Sequence, residues 1–157
     1  MLSSWIHLTA LAFYLGGLVG LWAIFLPALS AVKDHKERVR LLARALKIYD
    51  PLQIGALGLL VLSGASRLTD LKSAYRELFL KEIGLTLELK LICSFILIIL
   101  TTYQTMGLAH RFVRRWESGE VVSIQELQSI VRRLKISTVP ILLLSVLTLW
   151  LGIELRI

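Results

Sequence analysis

The sequence predicts an all-α membrane protein in which four transmembrane helices form a single bundle. Of its 157 residues, 56% are hydrophobic, and the mean hydropathy of +0.73 lies well above the usual balance of a soluble domain. Four apolar segments each come near or exceed the length needed to cross a hydrocarbon core of ~30 Å as a helix. These segments cover residues 5–31, 51–68, 85–110 and 136–155.

The connections between these segments predict one domain, residues 1–157, because they are short, free of repeats and not rich in Pro, Gly or Ser. The first segment is expected to be a retained helix. It has no Lys or Arg before it, and it is longer than the apolar core of about 7–15 residues of a secretory signal. The only cysteine, Cys93, excludes a disulfide framework or a Cys-rich metal site within one chain.

Two interfacial helices are predicted in the connections. Residues 36–48 have a basic amphipathic pattern, which is typical of a short helix that lies on the membrane surface. A second such helix is predicted in the middle connection, around Tyr75, Leu78 and Phe79.

Two local patterns predict where membrane helices begin. Asp50 followed by Pro51 has the order of an N-cap and a first-turn proline, so the second span is expected to start there. Ser123 and Glu126 have the spacing of a capping box. The last helix is therefore expected to begin near residue 124 and to continue into the fourth span.

Positive charge predicts the orientation of the chain. The net charge is +7, and its Lys and Arg residues are concentrated in residues 33–50 and 111–135. Basic connections next to membrane spans remain in the cytoplasm. Both basic connections are therefore expected on the cytoplasmic side of the cell's inner (plasma) membrane, with both termini outside. Because the charge follows the spans, it does not indicate a nucleic-acid partner.

Ionisable side chains inside spans point to one end of the bundle, since each costs about 2.5–3.5 kcal/mol at a helix centre. Five of the six fall near the end that bears the termini: His7, Arg67, Glu88, Lys90 and Glu154. The sixth, His110, falls at the opposite end of the third span. It is therefore expected to be an interfacial residue, and a metal ligand only as second choice. His35, in the first connection, is expected to be solvated.

The third span carries a polar lane that is predicted to face the bundle interior. Its members fall within an arc of about 120° on a helical wheel: Thr86, Lys90, Cys93, Ser94, Thr101, Gln104 and Thr105. Hydrogen bonds between helices, or back to carbonyl oxygens of the same helix, account for the hydroxyl groups. For Lys90 two interpretations stay open, one in which it extends outward to water and one in which it has an inward functional role.

The first span places His7 and Tyr14 on one face, with Gly16, Gly17 and Gly20 partly beside it. The small residues four positions apart favour close helix packing or dimerisation. Glycines near a histidine also leave room for a flat macrocycle. If the macrocycle is haem, a two-fold dimer through Gly16 and Gly20 would bring two copies of His7 to one iron. Alternatively, the sixth position of the iron would be open for substrate.

Haem b is the cofactor that these residues favour. A neutral imidazole is a natural axial ligand for haem iron, and basic side chains pair with propionates. The expected haem-binding residues are His7, Tyr14, Gly17, Arg67 and Lys90. Copper is the alternative, although Met1, Met106 and Cys93 form no cluster of the kind that Cu(I) prefers.

A resemblance to a known family covers nearly the whole chain, through short motifs. Trp5-Ile6-His7-Leu8, Leu15-Gly16-Gly17-Leu18 and Leu26-Pro27-Ala28-Leu29 resemble the first helix of the CopD-type copper-resistance family. Leu60-Val61-Leu62-Ser63-Gly64, Leu89-Lys90-Leu91 and Val131-Arg132-Arg133 are similar to its later helices. The related HemJ-type protoporphyrinogen oxidases also share the histidine and the Lys-Leu pair, and Tyr103-Gln104 stands where they usually have Tyr-His.

This resemblance implies a haem-dependent redox site in which His7 and Lys90 take part. Three functions follow as hypotheses. The first is a haem-bearing oxidoreductase or electron-transfer protein whose partner is a quinone, a porphyrinogen or another subunit. The second is a copper-handling permease module. The third is a cofactor-free structural subunit of a larger membrane complex.

Overall fold

The computed structural model describes the backbone of residues 2–74 and 83–154, and within those ranges it contains four long helices and no strand. In chain order they are α1 (residues 2–31), α2 (His35–Ala74), α3 (residues 83–117) and α4 (Ile124–Glu154). Each is long and apolar enough to cross a membrane. The predicted all-α fold with four spans is confirmed. The interfacial helix predicted around residues 75–79 lies outside the described residues.

The two ends of the bundle differ in what they carry. We call the end at which α1 begins and α4 ends the terminal end. The opposite end, where α1 leads into α2 and α3 leads into α4, bears the Lys- and Arg-rich segments, and we call it the basic end.

α1 and α3 each contain a wider π-helical turn in the half of the bundle near the basic end. The π-helical turns are Gly20–Phe25 in α1 and Tyr103–Ala109 in α3. Such turns are rare and frequently mark functional or strained positions. In α3 the turn contains Gln104 and Thr105, both fully buried.

The start of α2 differs from the prediction, because the amphipathic segment and the second span form one continuous helix through Pro51. Neither the separate interfacial helix at 36–48 nor a helix start at Asp50 is present. The apolar face of the segment is covered by protein. Leu42 and Leu46 are fully buried in a cluster that includes Phe112 of α3. This packing outweighs the cost of a proline inside a helix, which is about 3 kcal/mol.

The third helix continues past the predicted span to Glu117 and ends in a tight turn. Gly119, with φ of 79°, adopts the left-handed conformation that glycine tolerates best at a helix C-terminus. The predicted capping box then starts α4. The backbone N–H of Glu126 donates to Ser123 Oγ and that of Ser123 donates to Glu126 Oε2, each over 3.2 Å.

Side-chain contacts also tie the basic end together. His35 is half-buried, and its Nε2 lies 2.7 Å from the carbonyl oxygen of Val122, to which it donates. The expectation that His35 is simply solvated is therefore wrong. Lys47 of α2 forms an ion pair with Glu117 of α3. These contacts connect the beginning of α2 to the segment between α3 and α4.

The outer surface of the bundle is apolar along its length. In an apolar 18-residue stretch of each span, only 22–28% is buried within the chain. Large side chains such as Trp5, Ile24, Phe95 and Leu143 are mostly exposed. A monomeric soluble protein rarely exposes so much contiguous apolar surface, so this surface fits a lipid bilayer.

Candidate functional site at the terminal end

Side chains from three helices meet at the terminal end in what we call the His7 cluster: His7 of α1, Ser63 and Arg67 of α2, and Lys90 of α3. The ring of His7 is half-buried, and its Nδ1 lies 2.8 Å from Ser63 Oγ. Arg67 and Lys90 are both close enough for their charges to act on the ring. Three residues that the sequence singled out are thus brought together.

The contacts of the Ser63 hydroxyl favour the neutral form of His7 that has its proton on Nδ1. Ser63 Oγ lies 2.5 Å from the carbonyl oxygen of Leu59, one turn earlier on α2, and it donates its single proton there. It can therefore only accept from His7, so Nδ1 is the donor. In a neutral imidazole Nε2 then keeps its lone pair. This is the arrangement by which a second group orients a metal-binding histidine.

Two glycines adjoin the cluster. A Cβ on Gly64 would lie 3.8 Å from His7 Cε1, and a Cβ on Gly152 of α4 would lie 3.1 Å from Lys90 Nζ. The ammonium group of Lys90 therefore lies against α4, at a position where a side chain would crowd it. All four helices thus contribute to this end of the bundle.

The cluster contains two cationic side chains, Arg67 and Lys90. Arg67 donates to the hydroxyl of Ser4 over 3.1 Å. Glu88 of α3 is exposed, and the structure gives it no ion pair within the part of the chain it describes. The side chain of Glu154 lies outside the described residues. Two cations beside one imidazole suit a ligand that carries negative charge.

Tyr14 and Gly17, which the sequence assigned to the same site, lie deeper in the bundle. The hydroxyl of Tyr14 lies 2.5 Å from Thr101 Oγ1, and only 1% of the tyrosine is exposed. A Cβ on Gly17 would lie only 2.7 Å from Gln53 Oε1. Gln53 thus fills the space beside this glycine. These two residues belong to a separate group of contacts.

We call this group the central network; it joins α2, α3 and α4 through Gln104. Tyr49 donates to Gln104 Oε1 over 3.2 Å, and Gln104 Nε2 donates to Thr138 Oγ1 over 2.7 Å. Gln53 Nε2 donates to the carbonyl oxygen of Tyr14 in α1 over 3.2 Å. Buried polar groups within a bilayer need such partners, and these hold all four helices in register.

The polar lane predicted on α3 faces the interior, as expected. Cys93, Thr101, Gln104 and Thr105 are all buried. The partners of Gln104, Tyr49 and Thr138, were not foreseen from the sequence, and neither was the bond of Gln53 to the Tyr14 carbonyl oxygen. The sequence did contain a signal for such contacts. Gln53 and Gln104 stand within apolar spans, and an amide side chain there requires a hydrogen-bond partner.

His110 lies at the basic side of the central network. Its Nδ1 is 3.9 Å from Asp50 Oδ2, and the histidine is half-exposed whereas Asp50 is buried. Asp50 and Ser63, the partners of His110 and His7, are thirteen residues apart on α2, which corresponds to about 20 Å. The two histidines therefore belong to different sites.

Metal-ligand side chains are sparse in the described part of the chain. No three of its His, Cys, Asp and Glu side chains come together as an ion-binding group.

The glycines of the first span differ in their surroundings, since Gly17 lies against Gln53. Gly16 and Gly20 have open space at their Cβ positions. A shallow groove of about 270 Å³ between α1 and α2 is lined by both Gly16 and Gly17.

Comparison of the sequence and fold with protein-family models, with curated proteins and with solved structures found no match.

Proposed function

We propose that this membrane protein binds haem b through Nε2 of His7 and takes part in a redox or electron-transfer reaction. The observation that supports the proposal most directly is the contact between His7 and Ser63. With the proton on Nδ1, this contact would orient the imidazole and leave Nε2 for a ligand. The donor set fits the cofactor, because a half-buried histidine lies beside two cations that would pair with propionates.

Haem, when bound, would supply one-electron chemistry, and the chain would supply orientation and charge. Ser63 would hold the ring of His7 in one tautomer. Arg67 and Lys90 would neutralise propionates or bind an anionic substrate, and Gly152 leaves space for the ammonium group of Lys90. A quinone, a porphyrinogen or a partner subunit would then exchange electrons with this end of the molecule.

Orientation is part of the proposal. We place the basic end in the cytoplasm and the His7 cluster near the outer face of the cell's inner membrane, because basic connections remain inside. The open positions at Gly16 and Gly20 are compatible with a second copy of the chain packing on α1.

The two alternatives predict different properties. A copper site would need ligands besides His7 from a second chain or from outside the described residues, since no group of three ligand side chains forms within them. A structural subunit would need neither haem nor copper.

Absorption spectra of the oxidised and reduced protein, purified in detergent after expression with haem supply, test the proposal. Metal content is measured on the same samples. We expect a b-type band in the wild type and in His110→Ala, and its loss in His7→Ala. Retention of the band in His7→Ala would remove His7 as ligand. Stoichiometric copper without haem would favour the permease module, and neither cofactor would favour the structural subunit.

A further inference from the structure

A groove at the basic end, on the outer side of the bundle, combines apolar and cationic walls. It has a volume of about 330 Å³ and lies where the end of α1, the beginning of α2 and the beginning of α4 meet. Its floor consists of the buried side chains Leu26, Leu29 and Leu127. Three cationic side chains line it: Arg38, Arg132 and Lys135.

Arg38 is fixed in place by the end of α1. Its Nε donates to the carbonyl oxygen of Leu29 over 3.2 Å, and its Nη2 donates to that of Ser30 over 2.8 Å. Helix C-terminal carbonyls lack partners within their own helix, and a cation there is stabilised by them. The guanidinium group is therefore held at the groove.

Arg132 and Lys135 lie one turn apart on α4 and are both exposed. Two of the acidic side chains in these helices are paired with other cations, since Glu37 pairs with Arg40 and Glu126 pairs with Arg115. Among the described residues neither cation of α4 has a carboxylate partner. The groove thus has two cations on its rim that no carboxylate of the described part of the chain pairs with.

The position of the groove matches the membrane surface. The apolar span of α1 ends at Ser30, and the charged first turns of α4 precede its apolar part. A ligand that places a negative group against the cations and hydrocarbon against the leucines would satisfy both walls. Basic pockets between membrane helices bind lipid head groups by this combination.

We propose that this groove binds the phosphate group of an anionic phospholipid from the leaflet at the basic end. The apolar floor favours this ligand over free phosphate, because free phosphate has no hydrocarbon to pack against the leucines. The groove lies at the end opposite His7, so the inference stands or fails independently of the haem proposal.

Native mass spectrometry of the full chain, titrated with phosphatidylglycerol or with phosphatidylcholine, tests this assignment. The groove variant is Arg132→Gln with Lys135→Gln. The control is Arg114→Gln with Arg133→Gln, which also removes two positive charges from exposed positions but outside the groove. Thermal unfolding in phosphatidylcholine alone checks that both variants are folded.

We expect the groove variant to bind phosphatidylglycerol about 10- to 30-fold more weakly than the wild type, while the control loses less than about threefold. Binding of phosphatidylcholine should be the same in all three proteins. An equal loss in both double variants would mean that only the overall surface charge matters and would overturn the proposal. Displacement of the lipid by an equal concentration of inorganic phosphate would also overturn it in favour of a simple anion site.

Discussion

The His7 cluster and the central network are both polar, but they differ in the charged side chains they contain and in their exposure to solvent. The central network is neutral and almost inaccessible, and Gln104 is held by partners on α2 and α4. The His7 cluster is half-exposed and contains two cations that act on the same imidazole. The difference indicates that the network holds the helices together, whereas the cluster is suited to a ligand.

Cysteine labelling in intact cells would show which side of the membrane each region faces, and its outcome is all or none. Ser118→Cys, in the turn between α3 and α4, should react with a membrane-impermeant maleimide only after permeabilisation. Thr69→Cys, exposed near the other end of α2, should react without it. The native Cys93 is buried and serves as the unlabelled background. The reverse pattern would place the His7 cluster on the cytoplasmic side.

Ser63→Ala should weaken haem binding about 10- to 100-fold, because it removes the group that orients His7. Haem titration of the apoprotein, followed by absorbance, measures the change. Thr69→Val is the matched control, because it removes an exposed hydroxyl that also bonds to a carbonyl oxygen one turn earlier on the same helix, and it should bind haem like the wild type. Equal affinities in both variants would show that the tautomer of His7 is not set by Ser63.

Gln104→Leu should lower the free energy of unfolding by about 2 kcal/mol, because it removes the hydrogen bonds to Tyr49 and Thr138 and leaves the Tyr49 hydroxyl without its acceptor. Unfolding by dodecyl sulfate in mixed micelles measures it. Gln125→Leu, at an exposed position of α4, should change the value by less than about 0.5 kcal/mol. Similar effects in both would contradict a stabilising role for the network.

Neighbouring glycines of α1 should respond differently to alanine. Gly17→Ala places a methyl group 2.7 Å from Gln53 Oε1, so Gln53 must move and its bond to the Tyr14 carbonyl is strained. We expect a loss of about 1 kcal/mol in the same unfolding assay. Gly16→Ala meets nothing within 4 Å and should raise stability by up to about 1 kcal/mol, because alanine is the better helix former. Equal stability of the two variants would mean that α1 and α2 are not packed closely at Gly17.

Much of the fold could be predicted from the sequence because hydropathy over twenty residues reports directly on a membrane span. The capping box at Ser123 was equally local, and the structure confirms it. The start of α2 was not predictable in this way. The amphipathic segment packs on protein rather than on lipid because α3 continues to Glu117 and covers it. No local pattern in α2 reveals how far α3 extends.

The candidate site likewise contains residues that could be predicted from the sequence and residues that could not. His7, Arg67 and Lys90 could each be identified from the sequence, because an ionisable side chain inside a membrane span is energetically costly. The structure places the three together. The partners Ser63 and Gln53 depend on how α1 and α2 are aligned along their length. The relative position of two helices along their axes cannot be read from a single sequence. The sequence therefore assigned Gly17 to a ligand pocket, whereas the structure packs it against Gln53.

Chemical rescue of the missing imidazole tests the central claim most directly. His7→Gly, purified without cofactor and mixed with haem, should show no b-type band until free imidazole is added, which should then restore it. His110→Gly should bind haem without imidazole. If His7→Gly binds haem like the wild type with no imidazole present, His7 is not the ligand and the His7 cluster has another role.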